Sequence, residues 1–216
     1  MEEIEQGTPA WHALRCGKVT GSRINAVMAK GRSGAPSATR ANYMAELVVE
    51  RLTGFQAEGG FVSKEMQWGK DHEAEAVIAY EFYRNLDANK VAFVDHPTIP
   101  MSGASPDRLV GVDGLIELKC PNTSTHLASL LGAPIDSDYL KQMYWQMACT
   151  GRGWCDFVSY DPRMPEHMRL HVKRVHRDAA SIVECEVAVR AFLSELDAKM
   201  AELAEKFPAP VAEAAE

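Results

Sequence analysis

The segment SPDRLVGVDGLIELKC, residues 105 to 120, gathers two carboxylates and an ammonium in one short stretch: Asp107, Glu117 and Lys119. Alternation of apolar and polar residues in DRLVGV (107–112) and LIELK (115–119), with Val-Asp-Gly between them, predicts a β-hairpin at the centre of the chain. Glu117 and Lys119, two apart, then share one face of the second strand, and Leu118 points to the other. Asp107 opens the first strand, so all three polar groups converge at one end of a sheet. Burying such groups is costly unless they are paired or bind a metal. Hard carboxylate oxygens suit Mg²⁺, with Mn²⁺ as a substitute, and such an ion often binds beside a phosphate. A lysine at that position is placed to orient or deprotonate an attacking water. A bare Glu-x-Lys is equally the sequence of a cross-strand ion pair; the preceding Pro106, the glycine turn and the β-pattern favour the metal reading.

Helices must frame this hairpin. Residues 19 to 30 (VTGSRINAVMAK) begin with Thr20 and Ser22 as candidate N-caps and continue at helical spacing through Ile24, Val27 and Met28. A Gly/Ser/Pro loop over 31–40 follows, then helices over 42–52 and about 62–84. Short β-rich runs come next, VAFV (91–94) and the two hairpin strands. Helical patterns return at about 123–131 and 137–150, a strand pair follows at about 154–160 and 168–175, and a final helix starts at about Ala179. Its apolar side is Ile182, Cys185, Val189, Phe192, Leu196 and Leu203. Helices, a mixed sheet, then helices predict an α/β fold with helices flanking a central sheet. A single domain over 1–207 and a disordered tail over 208–216 are expected.

With 216 residues, 46% hydrophobic and 25% charged, the chain is of ordinary globular composition, which excludes a disordered or rod-like protein. It shows neither an apolar run long enough to span a membrane nor a secretory leader, so a cytoplasmic location is expected. Five scattered cysteines (16, 120, 149, 155 and 185) make reduced thiols the natural reading. The net charge of −7 argues against a polyanion partner until its distribution is considered. Residues 178–216 hold nine acids against three bases, whereas 15–40 hold six bases and no acid, and 163–177 hold five bases against Glu166. Two basic strips and an acidic last helix suggest a polyanion held by part of the surface, the alternative being that each strip is a solvated face.

Pro106-Asp107 and Glu117-Leu118-Lys119 match the PD-(D/E)xK nuclease signature. The phrases EQGTPAWHALRCGKVTGSR, WGKDHEAEAVIAYEF, SPDRLVGVDGLIELKCPNTS and FVSYDPRM, in order, make the chain resemble the phage lambda-type exonucleases of viral and prophage recombination. The resemblance runs from about residue 5 to the final helix. It implies a restriction-endonuclease-like core, a homotrimeric ring, and Mg²⁺-dependent 5′→3′ digestion of one strand of linear double-stranded DNA. The products would carry 3′ single-stranded overhangs, and a single-strand annealing recombinase would be the partner. It also implies that Asp107 and Glu117 bind the metal with the backbone carbonyl of Leu118, that Lys119 is the catalytic lysine, and that Glu73 is a further active-site acid. Gln142 matches an active-site glutamine, but the segment leading to it is about three residues shorter than usual, leaving Gln146 as an alternative. Arg15, Thr20, Ser22 and Ser105 match residues that hold the DNA 5′-phosphate.

Two rivals remain: a structure-specific endonuclease on the same fold, and an end-binding module without activity. His72-Glu73 lacks the second histidine of a zinc-protease motif. Cys120 has no base in sequence reach and reads as a buried thiol. The cysteine spacing does not fit an iron–sulfur cluster.

Overall fold

A computed structural model describes residues 4–31, 37–56 and 63–208. Among them the order is α1 (Pro9–Arg15), β1 (Val19–Thr20), a 3-10 turn (Gly21–Arg23), α2 (Ile24–Met28), α3 (Ala38–Thr53), α4 (Lys64–Arg84), β2 (Ala88–Asn89), β3 (Val94–Asp95) and β4 (Ser102–Ala104). Then come β5 (Arg108–Val110), β6 (Gly114–Lys119), α5 (Thr123–Leu130), α6 (Ser137–Thr150), β7 (Trp154–Tyr160), β8 (Leu170–His176) and α7 (Ala179–Lys206). One sheet runs β2-β5-β6-β7-β8 and a smaller one runs β1-β4-β3. This is the mixed α/β architecture expected.

Strand β6 organises the larger sheet. It pairs antiparallel with β5 and parallel with β7, and its residues from Gly114 to Leu118 are buried. Parallel pairing requires a long crossover, which α5 and α6 supply. Successive side chains leave β6 on opposite faces. Leu115 joins Cys155, Phe157 and the apolar sides of α2, α3, α6 and α7 in one core. Ile116 and Leu118 join Val158, Tyr160 and residues Ala76, Val77 and Tyr80 of α4 in a second core across the sheet. The sheet therefore separates α4 from α6, and both helices reach its end near Lys119.

Local chemistry sets the helix boundaries. Ser37, Ser63, Asn122, Asp136 and Asp178 each cap an N-terminus with their side chains. Gly54 and Gly151 end α3 and α6 in the left-handed conformation.

Several expectations are corrected. Residues 19–30 divide into a strand, a 3-10 turn and a short helix; Thr20 precedes the turn without a side-chain cap bond, and Ser22 lies inside it. The strand expected over 91–94 retains only Val94, with short strands at Ala88–Asn89 and Val94–Asp95 instead. In the hairpin turn Gly111, at φ 51°, takes the left-handed conformation. Gly114 has a packing role: a Cβ there would lie 2.1 Å from the Trp154 ring. Residues 32–36 of the expected loop, residue 62 at the start of the expected third helix and 209–216 of the expected tail lie outside the described residues. Among the described residues no helix is long and apolar enough to cross a membrane.

Candidate active site

Asp107 immediately precedes Arg108, whose register partner is Ile116, so Asp107 stands opposite Glu117 across the β5–β6 ladder. Directly opposed residues project to the same face with Cβ atoms about 4.5–5.5 Å apart. Glu117 is wholly buried, and every polar contact on its carboxylate comes from a side chain selected by the fold. Lys119 Nζ lies 2.6 Å from Oε1. Gln142 Nε2 donates to both oxygens at 2.9 Å, and Gln146 Nε2 donates to Oε2 at 2.6 Å. The two glutamines are one turn apart on α6, so both candidates for the active-site glutamine face Glu117.

Asp107 is partly exposed and accepts the backbone N–H of Leu118 through Oδ2 at 2.6 Å. Burial, and then the charge of Glu117, push its carboxyl up to about 7. Two acids this close in a low-dielectric setting resist joint ionisation. Lys119 behaves in the opposite sense: burial disfavours its charge, but Glu117 and Asp107 outweigh that and raise its proton affinity above the ordinary lysine value. Its Nζ also sits 4.9 Å from the centre of the Tyr139 ring.

Glu73 approaches from α4, on the other side of the sheet. With Asp107, Leu118, Lys119, Cys120 and Tyr139 it lines a cleft of about 400 Å³. Its carboxylate is engaged by Arg108, whose Nη1 lies 2.9 Å from Oε1. Arg108 was not singled out by sequence reasoning; its position beside Asp107 was the available signal. Cys120 is a buried thiol whose pKa burial raises to about 12, consistent with an inert role.

The donor set fits a hard divalent cation. Asp107 and Glu117 provide opposed carboxylate oxygens, and the backbone of Leu118, next to Glu117 in β6, donates its N–H to Asp107. Among the described residues no three His, Cys, Asp or Glu side chains are grouped to hold a metal ion.

The second constellation assembles in part. Arg15, at the end of α1, reaches Ser105 Oγ with Nη1 at 3.5 Å and stacks 3.9 Å from the centre of the Trp11 ring. Trp11 Nε1 donates to the same Oγ at 3.1 Å. The guanidinium Nε is buried with no hydrogen-bond partner, and burial lowers the Arg15 pKa to about 10 against the opposing influence of Tyr43 and Glu50. Strands β1 and β4 run parallel with Thr20 beside Gly103, so Ser22 and Ser105 each follow two residues beyond that pair. Ser22 is exposed, whereas Thr20 is buried. A Cβ on Gly21, between them, would lie 3.8 Å from Gln146, which places this turn against the helix that clamps Glu117.

Five bases of the two strips have internal acid partners. Lys18 pairs with Asp95, Arg23 with Glu46 and Arg40 with Glu195. In the second strip Arg163 pairs with Asp161 and Arg174 with Asp156. Among the described residues Arg15 has no acid within ion-pair distance, as is also true of Lys30, Arg169, Lys173 and Arg177; its buried, unpartnered Nε sets it apart from them. Arg32 of the first strip lies outside the described residues.

A model of the YqaJ-like viral recombinase domain matches residues 10–153. An alkaline exonuclease from Laribacter hongkongensis is 48% identical, with a TM-score of 0.85, over 92% of this chain and 97% of its own. The structure of the same enzyme in complex with dAMP is 47% identical, with a TM-score of 0.84 and the same coverage. A phage related exonuclease from Haemophilus somnus 129PT, at 18% identity and a TM-score of 0.64 over 86% of this chain and 96% of that one, shares the fold. Comparison with curated proteins finds no match. Opposed Asp107 and Glu117, Lys119 beside them and similarity along nearly the whole chain lead to one assignment: the chain belongs to the YqaJ-like viral recombinase family, the lambda-type exonucleases of the PD-(D/E)xK fold.

Proposed function

We propose that the protein is an Mg²⁺-dependent 5′→3′ exonuclease that degrades one strand of linear double-stranded DNA and leaves 3′ overhangs for single-strand annealing. The observation that carries this reading is the buried Glu117 carboxylate opposite Asp107, held by Lys119, Gln142 and Gln146 at one end of β6. A relative that is an alkaline exonuclease, also solved with dAMP, supports it. dAMP is a mononucleotide of the kind that stepwise hydrolysis releases.

Asp107, Glu117 and the Leu118 carbonyl would hold the ion. When bound, Mg²⁺ supplies Lewis acidity toward the scissile phosphate and activates water for in-line attack. Gln142 and Gln146 fix the Glu117 carboxylate before substrate arrives, so no reorganisation is needed there. Lys119, kept cationic by its two acidic neighbours, orients the attacking water and balances charge on the phosphate. Glu73 borders the same cleft. Arg15, backed by Trp11 and beside Ser105, supplies a forked cation for the 5′-terminal phosphate, with Thr20 and Ser22 in the adjoining strand and turn. The active form is a homotrimer around the duplex, working with a single-strand annealing recombinase.

Covalently closed duplex separates this reading from an endonuclease, and nucleotide release separates it from a binding module. A nick-free circle should survive an enzyme concentration that consumes its linear form, and chelation of divalent ions should stop release. Cleavage of the circle would establish the endonuclease instead.

A further inference from the structure

Asp107 and Glu117 face each other across the ladder, while the nearby Glu73 carboxylate is engaged by Arg108. Glu73 comes from α4 and lines the cleft with Asp107 and Lys119. Arg108, opposite Ile116 in the ladder, projects to the α4 side of the sheet, away from the face shared by Asp107 and Glu117. Its side chain is 12% exposed, and one nitrogen, Nη1, serves both the Glu73 carboxylate and the backbone carbonyl of Asp107. The guanidinium thus ties Glu73 to the Asp107 backbone.

We propose that Arg108 is a positioning residue: by holding Glu73 it keeps this acid out of the cation site formed by Asp107 and Glu117, and so sets how tightly the cleft takes a divalent ion. This role presupposes the metal site proposed above. With Arg108 in place, its guanidinium pairs with Glu73 as Lys119 pairs with Glu117. Without it, Glu73 is unpaired at the cleft wall and free to swing toward an incoming ion, and one positive charge has gone. Both changes favour cation binding. Glu73 would lose its fixed place at the same time.

The test is calorimetric titration of the metal-free full chain with Mn²⁺, which does not depend on turnover. Arg108→Gln should bind Mn²⁺ about three- to tenfold more tightly than the wild type, a range set by one partly buried ion pair. Arg108→Lys, which retains the charge, should recover most of the wild-type affinity. The gain should shrink markedly when Glu73→Gln is added, because Arg108 acts through that carboxylate. Glu73→Gln alone should alter affinity by less than about twofold, since the acid is already engaged. Unchanged or weaker binding by Arg108→Gln would overturn the proposal. So would loss of binding by Glu73→Gln, which would make Glu73 a ligand and keeps the idea testable even if the arginine variant misfolds. Glu117→Gln is the control: its loss of binding upholds the metal site, so that a failure confined to Arg108 and Glu73 counts against this inference alone. Wild-type affinity in Glu117→Gln, or no binding by the wild type, would remove the metal site and this inference with it.

Discussion

At the scale of single residues, burial makes the roles of Asp107, Glu117 and Lys119 distinguishable. Glu117 is the more deeply embedded acid, and Glu117→Ala would strand Lys119 and two glutamine amides; that change should cost about 3–5 kcal/mol of stability as well as activity. Glu117→Gln keeps the shape, so it should stay folded and lose roughly a thousandfold or more in cleavage rate. Lys119→Ala should lose activity while still binding Mn²⁺, because its ammonium acts toward water and phosphate. Asp107 makes a pH-dependent prediction for the metal-free protein. Its carboxyl is raised to about 7 from an ordinary value near 4, so the folded state binds more protons than the unfolded state between those limits. This contribution to stability is fully present below the lower value and is lost as pH rises through the higher one, by at most about 1.4 kcal/mol per pH unit. Asp107→Asn has no such titration, so its melting temperature relative to the wild type should climb between pH 4 and 8 in chelator. A constant difference across that range would contradict a carboxyl raised by its surroundings and by Glu117. Arg15 carries a different expectation: Arg15→Ala should slow digestion of 5′-phosphorylated ends by about ten- to a hundredfold and 5′-hydroxyl ends much less. Equal slowing of both would remove the phosphate pocket while leaving the nuclease site intact.

At the scale of elements, the hairpin converts sequence spacing into opposed carboxylates. Its geometry depends on Gly114, because Trp154 on the adjacent strand occupies the space a side chain would need. Gly114→Ala should therefore destabilise the fold by about 1–3 kcal/mol, read as a lower urea midpoint, and reduce activity by displacing β6. The hairpin, α6, β7 and α7 were legible because their periodicities are long or sharply bounded: Glu117 and Lys119 do share a face, and Ile182, Cys185, Val189, Phe192 and Leu196 are buried together. Two elements next to the phosphate constellation were not read. Strand β4 is only Ser-Gly-Ala, too short and too weakly β-forming to be seen without its neighbours. Helix α1 has little apolar periodicity, although Thr8 as N-cap followed by Pro9 was a usable signal. Parallel pairing of β1 with β4 brings the segments carrying Ser22 and Ser105 together across more than eighty residues, and local pattern contains no information about that pairing. The same holds for Gln142 and Gln146: helical spacing puts both on one side, but only the packing of α6 on β6 shows that both reach Glu117.

At the scale of the molecule, part of the positive charge is engaged in internal ion pairs. Acids of α7 pair with Arg40 and Arg51 of α3, and Lys18, Arg23, Arg163 and Arg174 of the strips pair with acids elsewhere. The strips thus offer only part of their positive charge to DNA, and confinement by a ring would add processivity. Sedimentation of the active enzyme should accordingly give three times the chain mass, and a stable, active monomer would remove the ring. The central claim, metal-dependent hydrolysis starting at a 5′ end, is tested most directly by digesting linear duplex labelled at the 5′ or 3′ terminus, with Mg²⁺ or with chelator. The 5′ label should be released first, as mononucleotide and only with Mg²⁺, whereas early release of the 3′ label, or release in chelator, would contradict the account.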